Sequence, residues 1–95
     1  MLDQAKAVMK MRKLQKELAK EIIEVEAGDG AVVVKISAEQ KIKKIKIDPE
    51  MIDLDDIEEL EDWVETAIKE AISKSQEVAA EKMKPIMGQL GNLGL

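Results

Sequence analysis

The apolar residues of this chain change their spacing twice, from helical to alternating and back to helical. That order restricts the fold to a helix, a small sheet of sequence-adjacent strands, and a second helix. Ala7, Met11, Leu14, Leu18 and Ile22 recur three or four residues apart, which places them on one helix face from Asp3 to about Ile22. Asp3 stands where an N-cap is needed. Ile23 to Ala27 then alternates apolar with acidic residues and enters Gly28-Asp29-Gly30, a tight hairpin turn. That cluster lacks the following Lys-Ser/Thr and helix of a phosphate loop.

Ala31 to Ser37 is dense in β-branched residues and reads as a strand, with Val32, Val34 and Ile36 on one face and Val33 and Lys35 on the other. After a loop at Ala38-Glu39-Gln40, Lys41 to Asp48 alternates again, with Ile45 and Ile47 inward and Lys44 and Lys46 outward. Ile42 falls out of phase, which points to a bulge near Lys43. Pro49 ends the strand, because proline has no N–H for the ladder.

A second helix follows, with Asp55 as its cap and Glu58 completing a capping box. Ile57, Leu60, Val64, Ala67, Ile68, Ala71, Ile72, Val78, Ala79 and Met83 carry its stripe. Such a helix spans ~45 Å at ~1.5 Å per residue, longer than three strands cover, so its far end is expected to project or to pack on a partner. Pro85 is expected to break or kink it. The sequence reading is one α+β domain over residues 1–87, with residues 88–95 as a flexible Gly-rich tail.

Composition narrows the chemistry. The chain has no Cys and no His, which removes disulfides, thiolates, the usual zinc ligands and the commonest general base. Three serines (Ser37, Ser73, Ser75) and Thr66 remain, with no activating partner, so no enzyme activity and no cofactor is expected. The acidic run from Asp53 to Asp62 lacks the glycine and spacing of an EF-hand and complements the positive end of the second helix. No segment approaches the ~20 apolar residues of a membrane span, and Lys6, Lys10, Arg12 and Lys13 interrupt any leader-like run, so the expected location is cytoplasmic. Net charge is −5, unevenly spread. Residues 1–47 carry eleven basic and seven acidic side chains, and residues 48–95 carry four and thirteen.

Several segments, taken in order, resemble the YbaB/EbfC family of bacterial nucleoid-associated proteins. They are the opening helix AKAVMKMRKLQKELAK, the strand pair VVVKIS and KIKKIKIDP, the run from Leu60 to Val64 followed by Ala67 and Ala71, and Glu81-Lys82-Met83. The resemblance spans roughly residues 5 to 84. It implies a homodimer joined through its sheets and adjoining helix, with long helices projecting and duplex DNA bound by those projections. Val32, Val34, Ile36, Ile45 and Ile47 are then the candidate dimer residues. Trp63, at the flank of its stripe, joins them as a large apolar group expected to be covered by a second subunit.

Lysines along one helix face can each neutralise a phosphate, so Lys6, Lys10, Arg12 and Lys13 are the candidate DNA contacts, joined by Lys82 and Lys84. The blander reading of that face is a solvated amphipathic helix. Lys41, Lys43, Lys44 and Lys46 read first as protection of an edge strand. The expected partners are duplex DNA and a second copy of the chain, with no membrane and no small-molecule substrate. The rival is a prefoldin-like chaperone or coiled-coil adaptor, which the unequal helix lengths fit less well.

Overall fold

The computed structural model describes residues 2–91, with side chains described over residues 4–88. The order is α1 (Leu2–Lys20), β1 (Ile22–Ala27), β2 (Val32–Ser37), β3 (Ile42–Ile47), a 3-10 turn (Pro49–Met51) and α2 (Ile57–Gly91). The strands form one antiparallel sheet in the order β1-β2-β3. This is the α+β helix–meander–helix that the periodicities predict. The ladder shifts where Lys35 pairs with Lys44 but Ile36 pairs with Ile42, leaving Lys43 as the bulged residue. That extra residue returns Ile42 to the same face as Ile45 and Ile47.

The β1–β2 turn is left-handed throughout, with φ of 64°, 55° and 93° at Gly28, Asp29 and Gly30. Glycine and aspartate tolerate that geometry best, which is why this turn needs them. The cap of α2 is Asp56 rather than Asp55, its carboxylate accepting from the Glu59 N–H at 3.3 Å. Asp53 takes the Asp55 N–H instead, at 2.9 Å. Helix α1 begins at Leu2, so Asp3 lies inside it rather than capping it.

Two cores hold the chain. In the first, α2 lies across β1 and β2, burying Val25, Val32, Val34 and Ile36 against Ala67 and Ala71. The two alanines let the helix backbone close on the sheet. Ser75, next on that stripe, is buried and donates its hydroxyl to the Ser37 carbonyl at 2.7 Å. In the second core, Leu14 and Leu18 of α1 pack with Ala38 and with Val78, Ala79, Met83 and Ile86 of α2. The far end of α2 is therefore covered by α1 of its own chain, which the stripe alone did not reveal.

Pro85 lies inside α2 without ending it. Pro85 and Glu81 are both exposed, and the proline has no N–H to donate to the Glu81 carbonyl one turn earlier. The helix also continues through Gly88 to Gly91, where the sequence marks the start of a tail; residues 92–95 lie outside the described residues. The result is elongated, 63 × 20 × 15 Å, with a radius of gyration of 18.3 Å. A compact domain of this length has about 12 Å.

Candidate nucleic-acid interface

The arm is built by α1 and the end of α2 running alongside each other beyond the sheet. Its root is locked by backbone bonds: the Ala38 N–H donates to the carbonyls of Leu18 at 3.1 Å and Glu21 at 2.9 Å. Those are carbonyls at the C-terminal end of α1 that the helix cannot satisfy itself. The β2–β3 turn thus sets the direction of α1, and Leu14 and Leu18 then seat it against α2.

Between the two helices lies an open groove lined by Lys10, Lys13, Leu14, Glu17, Lys82, Pro85 and Ile86. The fold thus gathers three of the six candidate contacts, Lys10, Lys13 and Lys82, around one depression. Lys6 is exposed one turn before Lys10 on the same helix face. Arg12 is exposed but follows Lys10 by two residues, so it points to a different side of α1. Lys84 likewise departs from Lys82 by two residues and is held at 2.9 Å by Glu81. Lys82 pairs with Glu21 at 3.7 Å, tying the arm to the sheet. Glu17 and Glu21, absent from the sequence reading of this site, temper its charge. Their signal was their place in the sequence, Glu17 among the lysines of α1 and Glu21 directly after its last one.

The structure separates the charge that the whole-chain average hides. Helix α1 carries six basic and two acidic side chains, and residues 76–91 carry two of each. Residues 21–47 balance at five of each, whereas residues 48–75 hold eleven acidic against two basic. The arm is thus net +4 and the body beside it net −9 over residues 48–75. Glu65, near the end of the dense acidic run, precedes Lys82 by 17 residues, which is about 26 Å of helix. That exceeds two screening lengths at physiological salt, ~8 Å each. Among the described residues no group of three or more Asp or Glu is placed to hold a metal ion. Among the described residues no helix is long and apolar enough to cross a membrane.

The candidate dimer residues divide. Val32, Val34 and Ile36 are fully buried under α2 of their own chain and offer no surface to a second copy. Ile45 and Ile47 share the core-side face, paired with Val34 and Val32, yet stay 42% and 45% exposed. The reason is that α2 seats over β1 and β2, so these two do not point into the chain's own core as expected. Ile42 stands in the same row at 44%. Trp63 is half-buried, packed on the first core with its ring over Gly28, so its own chain supplies part of the cover that a second subunit was expected to give.

A two-helix basic arm on a three-stranded antiparallel sheet defines a small α+β domain. The model of the YbaB/EbfC DNA-binding family matches residues 1–90, and the chain belongs to that family. A nucleoid-associated protein of Chloroflexus aurantiacus is 43% identical over 83 residues, covering 87% of this chain and 83% of the relative. Another, from Syntrophobacter fumaroxidans, is 39% identical and covers 99% of this chain and 86% of the relative. The fold matches the crystal structure of an uncharacterized Helicobacter pylori protein with a TM-score of 0.79, 15% identity and 88% of each chain covered.

Proposed function

We propose that this chain is a nucleoid-associated, non-catalytic architectural protein that binds duplex DNA as a homodimer through its projecting basic arms, in the cytoplasm. The observation that carries the reading is the segregation of charge. The arm is net positive while the acidic half of the molecule lies beside the sheet. Lysines on one helix face neutralise phosphates and release counterions without reading sequence. Membership of a DNA-binding family and relatives named nucleoid-associated support the same partner.

The homodimer has its own support. Ile42, Ile45 and Ile47 line an edge strand on the face that α2 leaves open, and Met51, Leu54 and Ile57 are exposed in the segment that follows. An uncovered apolar edge invites aggregation, and a symmetric second copy covers it. Two copies also double the arms.

The test is fluorescence anisotropy of a labelled duplex with the wild type and with Lys6, Lys10 and Lys13 all changed to Glu. Saturable binding at low salt that the triple change weakens severalfold or more supports the reading. Equal binding by both proteins sinks the assignment to α1. Absence of binding by a folded wild-type dimer sinks the function and favours a protein-binding adaptor.

A further inference from the structure

The sheet has a second face, turned away from α2, that the arm reading leaves without a role. Its composition follows from the register. Glu24 pairs with Lys35, which pairs with Lys44, and Glu26 pairs with Val33, which pairs with Lys46. Residues directly opposite share a face, so Lys35, Lys44 and Lys46 surround Val33, with the bulged Lys43 at the rim. Along β3, Lys44 and Lys46 are about 7 Å apart, and Lys35 lies about 5 Å across from Lys44. None of the four lysines forms an ion pair among the described residues.

Protection of an edge strand accounts for lysines on β3 but not for Lys35, which is on the central strand. The Lys35–Lys44 pair also sets like charges directly opposite, a destabilising arrangement. Glu24 stands across from Lys35 on its other side, but β3 is an edge strand with no carboxylate opposite Lys44 or Lys46, and attraction of a dense anion uses all of the lysines together. Protein interfaces are depleted of lysine and enriched in aromatic residues at their centres. This face has lysines on β2 and β3, Glu24 and Glu26 along β1, and no aromatic side chain. A duplex, with one charge per ~3.4 Å of axis on each strand, presents phosphates within the spacing of these lysines.

We propose that the outer face of the sheet, through Lys35, Lys44 and Lys46 with Lys43 at its rim, is a second phosphate-backbone surface for nucleic acid, separate from the arms. The inference shares with the reading above only the identity of the partner. Covering the isoleucine side of β3 in a dimer leaves this side open, because the two alternate. A molecule with both surfaces holds one duplex at its arms and a second across its sheet.

The chain has no cysteine, so Val33→Cys supplies a single thiol at the centre of the patch and keeps every lysine. With a short photocrosslinker attached, the full chain is irradiated with duplex DNA at low salt and at fourfold higher salt. Crosslinking to DNA is expected at low salt. Three neutralised phosphates give a log–log salt slope of about −2.7, so affinity at this face falls about 40-fold over that range. The crosslink is expected to vanish when Lys35, Lys44 and Lys46 become Gln. It is expected to persist when Lys6, Lys10 and Lys13 become Glu.

Circular dichroism checks that each variant folds. Should Val33→Cys fail to fold, anisotropy of the arm variant with and without the three Gln changes makes the same comparison, and equal residual binding overturns the proposal. Failure to crosslink overturns it, as does loss of the crosslink with the arm lysines alone. Crosslinking to a second protein copy in place of DNA overturns it in favour of a contact between copies of this chain. Arm variants that bind as tightly as the wild type while the crosslink persists refute the arm reading and leave this one standing.

Discussion

Gly28→Ala tests the contact that seats the start of α2 on the hairpin. A Cβ at Gly28 falls 2.5, 2.6 and 2.8 Å from the Trp63 ring atoms Cδ2, Cε2 and Cε3. Carbon atoms rest about 3.5–4.0 Å apart, so the ring must retreat by about 1 Å. It is held in the first core, and overpacking there costs about 1–3 kcal/mol. Alanine at a φ of +64° adds about 1–2 kcal/mol of backbone strain. The sum is about 2–5 kcal/mol, a fall in Tm on the order of 10–20 °C or more for a domain of this size.

A double-mutant cycle with Trp63→Leu separates the two causes. Without the ring, Gly28→Ala should cost only its backbone strain, so the pair should be coupled by about 1–3 kcal/mol. Far-UV circular dichroism in urea, at one protein concentration, gives all four stabilities. Additive costs would refute the packing argument and leave the left-handed turn as the sole constraint on Gly28.

Ser75→Ala should destabilise by about 1 kcal/mol in the same assay, near the low end for a lost buried hydrogen bond. The Ser37 carbonyl still accepts from the Gln40 N–H at 3.0 Å, so it is not orphaned. Ile45→Asp should convert the proposed dimer to a folded monomer in sedimentation equilibrium, and a dimeric mass unchanged by the substitution would place the interface elsewhere. Lys69→Met should raise the pKa of Glu65, read by carboxyl 13C NMR. The Lys69 hydrogen bond and then its charge hold that carboxyl below its ordinary value. The stabilisation from Glu65 is thus present above the ordinary carboxylate value and fades as pH falls through the lowered one. That from Lys69, whose pKa is raised, fades as pH rises through the raised value.

The elements were legible wherever one periodicity held. Even the bulge at Lys43 showed in the phase of Ile42, because a strand's side-chain period of two cannot absorb an extra residue silently. What the chain did not disclose was which apolar surface meets which. The stripe of α2 carries no mark telling that Ala67 and Ala71 seat over β1 and β2 while Val78 and Met83 meet α1. That choice buried Val32, Val34 and Ile36 in the chain's own core and left the β3 isoleucines outside. The basic face of α1 was readable from spacing. Its neighbour Lys82 was readable as a charge, but its place across a groove depends on tertiary packing, as does its pairing with Glu21.

The central claim is that the arm lysines bind duplex DNA through its phosphates, and the salt dependence of affinity tests it most directly. Each neutralised phosphate contributes about −0.9 to the slope of log affinity against log salt. Lys6, Lys10 and Lys13 therefore predict a slope of about −2.7 if one arm engages and about −5.4 if both arms of a dimer do. Anisotropy of a labelled duplex across a salt series should return a slope between those values. With Lys35, Lys44 and Lys46 already changed to Gln, the slope should collapse towards zero when the three arm lysines become Glu. A slope near zero in the wild type, or one unchanged by the substitutions, would contradict the account.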